Sequence, residues 1–223
     1  MDGIEHGPRS RFVPGYVVRS FIVALVAGAA LLAGCGTPRP TRSQPPPRLE
    51  APSRVCADRT TSFFGGTPLE DRESWYGHEL RSVGERALCR PPGDSTPLYR
   101  FLWVPSGHRA VVVRIESGPN GFRLASKDLA SRVTYDLNDA DIQLFSRLVA
   151  EARFWELPTL PPPDGTMERD GARWMLEGLE DGRYHVVDRW SPRRDGPDAA
   201  YRRLGEWLLA RSALVPASLV TEY

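Results

Sequence analysis

The chain has 223 residues, 41% of them hydrophobic and six of them tryptophan, which excludes a wholly disordered protein because such chains lack apolar surface to bury. Lys plus Arg number 29 against 28 for Asp plus Glu, so no net positive field attracts nucleic acid, and a nucleic-acid role is disfavoured. Lys127 is the only lysine, and we attribute the excess of arginine to genome base composition.

The amino terminus has the pattern of a secretion signal. Arginines precede an uncharged run, 21–33, whose length fits a signal-peptide hydrophobic region better than a bilayer span. The run ends in Leu32, Ala33, Gly34 and Cys35, which resembles the lipobox of bacterial lipoproteins. The resemblance implies a signal peptide over 1–34, cleavage before Cys35, and a diacylglycerol (palmitate-type) lipid on its sulfur. An uncleaved anchor helix is the alternative, and either one places the domain outside the cytoplasm.

The residues after the cysteine predict a location and a spacer. Gly36 stands where the resemblance would require Asp for retention in an inner membrane, which favours the periplasmic face of an outer membrane. The stretch 35–53 is rich in Pro, Arg, Ser and Gln, and prolines build neither helix nor central strand. We therefore predict a lipidated cysteine followed by an extended linker, with the membrane as a partner through the lipid.

Two cysteines remain for the domain, Cys56 and Cys89. Because an extracytoplasmic compartment permits oxidation, a Cys56 to Cys89 disulfide is predicted, and two buried free thiols are the alternative. Between them, residues 74–88 carry apolar side chains among charges and indicate a short helix.

Strands and a helix follow. Residues rich in β-branched and aromatic side chains predict strands at 99–104, 110–116, 122–126 and 132–137. Asn138 is then placed as a helix N-cap, and an apolar face at helical spacing continues to near Trp155, where prolines stop it.

The last third predicts a hairpin and a helix. Residues 173–179 and 183–190 flank Asp181 and Gly182, a pair that suits a two-residue primed turn and fixes the strand register. A final helix begins at Pro197. The order predicts one α+β domain over 54–215, with an antiparallel sheet of five to six strands and helices on one face, followed by a tail, 216–223.

No motif for catalysis, metal or cofactor binding stands out, so no such residues are predicted. The hairpin carries the one dense polar and aromatic patch, in which Trp174, His185 and Arg189 form a candidate ligand site for an anionic or sugar-like molecule. The competing interpretation is structural: Trp174 and Arg189 form a cross-strand cation–π pair, and Gly178 opposite His185 gives that ring room. The register also places Glu177 on the other face from His185, which weakens any acid–base pair.

Three groups of residues resemble a family of bacterial proteins, often lipoproteins, whose activity is not established. The similarity spans about 99–214 and brings no site residues, and it rests on Phe154, Trp155, the run Trp174-Met175-Leu176-Glu177-Gly178, and 184–192. The sequence favours a non-enzymatic envelope lipoprotein whose domain contacts an envelope protein partner. The alternative is a small hydrolase or ligand-binding protein that uses the 174–190 hairpin.

Overall fold

Six strands form one antiparallel sheet in the part of the chain that the computed structural model describes, residues 62–89, 94–163 and 170–222. The predicted α+β class is confirmed, and the spatial strand order is β4-β3-β2-β1-β5-β6. The described elements belong to one compact unit, Pro47–Tyr223. In chain order they are α1 (Glu73–Ser82), β1 (Leu98–Pro105), β2 (Val111–Gly118), β3 (Gly121–Lys127), β4 (Arg132–Asp136), α2 (Asp139–Glu151), β5 (Ala172–Glu180), β6 (Arg183–Trp190), α3 (Ala199–Ser212) and α4 (Ala217–Glu222).

Both faces of the sheet are covered near its centre, as strand β1 shows. Tyr99, Phe101 and Trp103 belong to one buried cluster, and Leu98 and Leu102 belong to a second, because alternate residues of a strand face opposite sides. Helices α2 and α3 pack on the first side, here called the helix face. Helix α1 packs on the second, the back face, so the predicted covering of one face holds for α2 and α3 but not for α1.

Helix α2 begins where the sequence predicts. The Asn138 side chain accepts a hydrogen bond of 2.9 Å from the Asp141 amide, which satisfies one of the free amides of the first turn. Phe145 and Val149 are buried one turn apart. The helix ends before Arg153, whose φ is 48°.

The β5–β6 hairpin has the predicted turn and register. Asp181 and Gly182 have φ values of 50° and 73°, the left-handed pair that matches strand twist in a two-residue turn. Trp174 lies opposite Arg189, as predicted.

The carboxyl terminus differs from the prediction. The expected tail, 216–223, contains α4, which begins one residue after Pro216. Val220 is 9% exposed and lies in the helix-face core, and its carbonyl accepts a hydrogen bond from Arg202 Nη2 at 3.2 Å. The folded domain therefore extends past residue 215.

Several predictions lie outside the described residues, namely the signal peptide 1–34, the lipidated Cys35, the linker 35–53 and Cys56. Cys89 is described and Cys56 is not, so their disulfide stays a prediction. Among the described residues, no helix is both long enough and apolar enough to span a bilayer.

Candidate functional site

Trp174, the centre of the predicted ligand patch, is inaccessible. Its side chain is fully buried on the helix face. The Phe101 ring lies edge-on at 5.7 Å between centroids, and a Cβ built at Gly205 of α3 would come within 2.5 Å of the indole. Gly205 thus lets α3 pack directly against Trp174.

Arg189 does not form the predicted cation–π pair with Trp174. The guanidinium over the indole is that of Arg202, at 5.2 Å, whereas Arg189 lies 5.9 Å from the Tyr201 ring centroid. Arg189 Nε donates to Asp198 Oδ1 at 2.9 Å, and its other nitrogens donate to the backbone carbonyls of residues 158, 159 and 188. Strand pairing brings Trp174 and Arg189 together, but the cation over Trp174 comes from α3, and the carboxylate of Arg189 comes from Asp198 just before α3.

His185 is held by the segment after α2. Its Nε2 lies 3.0 Å from the Leu157 carbonyl oxygen, and its ring lies 5.1 Å from that of Phe154. Burial lowers the pKa of His185, with a further lowering from Arg183. Gly178, opposite His185, makes room mainly for Phe154, since a Cβ there would lie 2.6 Å from the Phe154 ring.

Glu177 lies on the back face, away from His185. Its Oε1 accepts from the Tyr184 hydroxyl at 2.7 Å, and its Oε2 accepts from Arg100 Nε at 2.6 Å. Glu177, the carboxylate considered as an acid–base partner, therefore does not contact His185. The geometry favours the structural interpretation of the patch.

A cavity that the sequence did not predict lies between α2 and the sheet. Its volume is about 460 Å³, within the usual range for sites that hold small molecules. We call it the α2 cavity, and it is lined by Pro97, Tyr99, Ile115, Phe122, Ile142, Phe145, Ser146, Val149, Ala150, Trp155 and Glu180.

A polar pair, Tyr99 and Glu180, interrupts the apolar wall of the α2 cavity, which Ser146 also lines. The Tyr99 hydroxyl donates to Glu180 Oε2 at 3.0 Å. Burial, and then the nearby Glu180 charge, raise the pKa of Tyr99 well above its ordinary value, so the phenol stays protonated. A mainly apolar cavity with one converging polar group is the usual form of a ligand site.

A second group of charged residues crosses the back face, and we call it the back-face ion cluster. It starts at the fully buried Arg100, whose Nη1 lies 3.2 Å from Glu85 Oε2. Arg100 and Glu85 have no exposed side-chain surface. The cluster consists of Tyr184, Glu177, Arg100, Glu85, Lys127, Arg114, Glu116 and Arg123.

The Glu85 carboxylate makes the stability of the fold depend on pH. Burial alone would raise the pKa of Glu85, but Arg100, Arg114 and Lys127 together bring that pKa below its ordinary value of 4.5. A carboxyl with a lowered folded-state pKa stabilises the fold above its unfolded-state pKa, and that contribution is lost as the pH falls through the folded value.

We therefore expect the free energy of unfolding of the wild type to fall more steeply below about pH 4.5 than that of Glu85→Gln. The amide cannot ionise, so this variant is already destabilised at neutral pH. Urea unfolding of both proteins across a pH series measures the difference, in which the other titrating groups largely cancel. Parallel stability curves for the two proteins would contradict the prediction.

Comparison with known proteins does not indicate a function for this chain. No family model and no curated protein matches the chain. In the described ranges, no group of three His, Cys, Asp or Glu side chains is placed to hold a metal ion.

Proposed function

We propose that this chain is a lipid-anchored protein of the bacterial cell envelope, and that its α+β domain is a binding module rather than an enzyme. The α2 cavity is the observation that carries the proposal. Its apolar wall is closed by side chains from β1, β2 and α2, including Tyr99, Ile115 and Phe145, each at most 6% exposed. Such a rigid wall keeps its shape without a ligand, which lowers the entropy cost of binding.

The polar pair defines the ligand class. Glu180 Oε2 already accepts from Tyr99, and a carboxylate has further lone pairs that accept hydrogen bonds. A ligand with an apolar body and one hydrogen-bond donor, such as the hydroxyl of a long-chain alcohol, complements both parts of the cavity.

Photolabelling of the purified full chain tests the cavity. The probe is a long-chain alcohol with a diazirine on its chain, and we expect crosslinks to the peptide that contains α2. Ala150 lines the cavity and is exposed, so Ala150→Phe should reduce the labelling about tenfold, equivalent to ~1.4 kcal/mol of binding.

Ala140 provides the matched control. It is an exposed alanine of the same helix and does not line the cavity, so Ala140→Phe should label as the wild type does. Equal loss in both variants, or crosslinks scattered over the surface, would exclude the α2 cavity as the binding site.

The hydrolase alternative has less support. It requires the hairpin residues to meet a substrate, yet Trp174 and Glu177 are fully buried and Arg189 is 3% exposed. General acid–base chemistry also needs a base within hydrogen-bond reach of the substrate. His185 Nε2 is instead occupied by the Leu157 carbonyl.

The lipid anchor has its own test. Cys35→Ser should abolish metabolic labelling by an alkyne fatty acid and leave uncleaved precursor, because the proposed thioether forms on the Cys35 sulfur before cleavage. Cys89→Ser is the control and should still be labelled. Two acyl chains give stable anchoring, since each buried methylene contributes about 0.8 kcal/mol, so the wild type should fractionate with membranes. Unchanged labelling or maturation of Cys35→Ser would refute lipidation at this residue.

A further inference from the structure

The back face of β2, β3 and β4 holds a second cavity, of about 420 Å³. It differs from the α2 cavity because charged side chains line it. They are Glu85, Arg114, Glu116, Arg123, Lys127 and Arg132, with Thr134 beside them. Helix α1 packs on the other half of this face, so the cavity opens on the uncovered half.

Two pairs of like charges lie directly opposite each other on this face. Arg100 faces Arg114 across β1 and β2, and Lys127 faces Arg132 across β3 and β4. Like charges at directly opposed positions of antiparallel strands destabilise a sheet. An anion placed between the two members of such a pair offsets this repulsion.

The first pair, Arg100 and Arg114, has such an anion within the protein. Glu85 Oε2 lies 3.2 Å from Arg100 Nη1 and 3.7 Å from Arg114 Nη1, so one carboxylate bridges both guanidinium groups. Glu85 is supplied by the loop after α1, and its side chain is fully buried.

In the second pair, Lys127 and Arg132, a carboxylate contacts only the lysine. Glu85 Oε1 lies 2.5 Å from Lys127 Nζ. Arg132 is exposed, and no ion pair in the described part of the chain reaches it. Glu116, the other carboxylate of the cavity, lies between Arg114 Nη2 at 2.6 Å and Arg123 Nη2 at 2.7 Å.

Cations also outnumber carboxylates on this part of the back face. The back-face ion cluster together with Arg132 contains five cations and three carboxylates. A fourth carboxylate, Asp136, follows at the end of β4 and accepts from Asn120 Nδ2 at 2.8 Å. It does not line the cavity, so the cavity itself remains positive.

We propose that this cavity binds a phosphate group, which bridges Arg132 and Lys127 as Glu85 bridges Arg100 and Arg114. A guanidinium presents two parallel donors to phosphate oxygens, and an ammonium adds a point charge. Thr134 contributes a hydroxyl at the cavity wall. This site is separate from the α2 cavity and does not depend on the proposed function.

The single lysine allows a direct test. Growth on ¹⁵N-lysine places one lysine label in the purified full chain, at Lys127, and leaves its side chain unmodified. Inorganic phosphate and pyrophosphate, titrated at constant ionic strength, should shift the NMR signal of the Lys127 backbone amide saturably. Arg132→Gln should weaken this binding about tenfold or more, because it removes the guanidinium that donates to the phosphate oxygens.

Arg203→Gln is the matched control. Arg203 is a half-exposed cation on α3 that lies 3.6 Å from Glu151, away from the cavity, and its loss should leave the phosphate titration unchanged. Equal weakening in both variants would indicate general ionic attraction and overturn the proposal.

Vesicles distinguish the source of the phosphate group. A Lys127 shift with the soluble phosphates supports a free or polymer-borne group. A shift only with vesicles of phosphatidylcholine plus phosphatidylglycerol, and not with phosphatidylcholine alone, supports a lipid headgroup. No saturable shift with either source overturns the site.

Discussion

Arg100→Met should lower the free energy of unfolding by about 3 to 5 kcal/mol, the range observed when one partner of a buried ion pair is removed. Arg100 has no exposed side-chain surface. Methionine fills much of the same volume, so the lost stability reflects the removal of the positive charge. Glu85 retains Lys127 at 2.5 Å, whereas Glu177 retains a neutral partner, the Tyr184 hydroxyl at 2.7 Å. The cost therefore comes mainly from Glu177, a buried carboxylate that loses its ion pair with Arg100.

The double variant Arg100→Met with Glu177→Leu is the control for this explanation. Replacing both members of a buried ion pair with apolar groups is often neutral or stabilising, so the double variant should recover most of the lost stability. Urea unfolding measures all three proteins, with the slope of the transition as a check on two-state behaviour. A loss below about 1 kcal/mol for the single variant would indicate a solvated pair.

Trp174→Ala should cost a similar amount, about 3 to 5 kcal/mol, for a different reason. The indole is fully buried between Phe101 and α3, and removal of such a side chain leaves a cavity in addition to the lost transfer free energy. Gly205 lies against the indole and cannot fill the space, because glycine has no side chain. This loss is a large share of the 5 to 15 kcal/mol typical of a domain, so the variant should melt at a much lower temperature.

The partner of Trp174 can be identified by double-mutant cycles. We expect Trp174→Leu to couple with Arg202→Met by more than about 0.5 kcal/mol, because residues in contact are not additive and the Arg202 guanidinium lies over the ring. The cycle with Arg189→Met should give the smaller coupling, although Arg189→Met alone removes a nearly buried cation from Asp198. A larger coupling to Arg189 would restore the cross-strand pair inferred from the sequence.

The candidate site was only partly predictable. The sequence places Trp174, His185 and Arg189 on one face of the hairpin, because a two-residue turn sets the strand register, and that register is confirmed. Their roles were not derivable from it, because Arg202 and Asp198 come from outside the hairpin. The sequence does not predict the α2 cavity. Ile142, Phe145 and Val149 appear in the sequence as an ordinary apolar helix face, and a gap between that face and the sheet depends on how the two fit.

The sequence by itself determined the elements with local signals. The Asn138 cap begins α2, the Asp181-Gly182 turn sets the hairpin, and alternating apolar residues mark the strands. These features depend on backbone dihedrals and hydrogen bonds between near neighbours, which a few residues suffice to specify.

Tertiary structure decided the remaining features, since they join residues that are far apart in the chain. β1 pairs with β5, which sets Arg100 beside Glu177, 77 residues later in the chain, and buries both charges. α1 packs on the back face, and the loop after it brings Glu85 between two arginines. Residue type gives Arg100 a preference for solvent, and its ion pairs with Glu177 of β5 and Glu85 of the loop after α1 offset that preference.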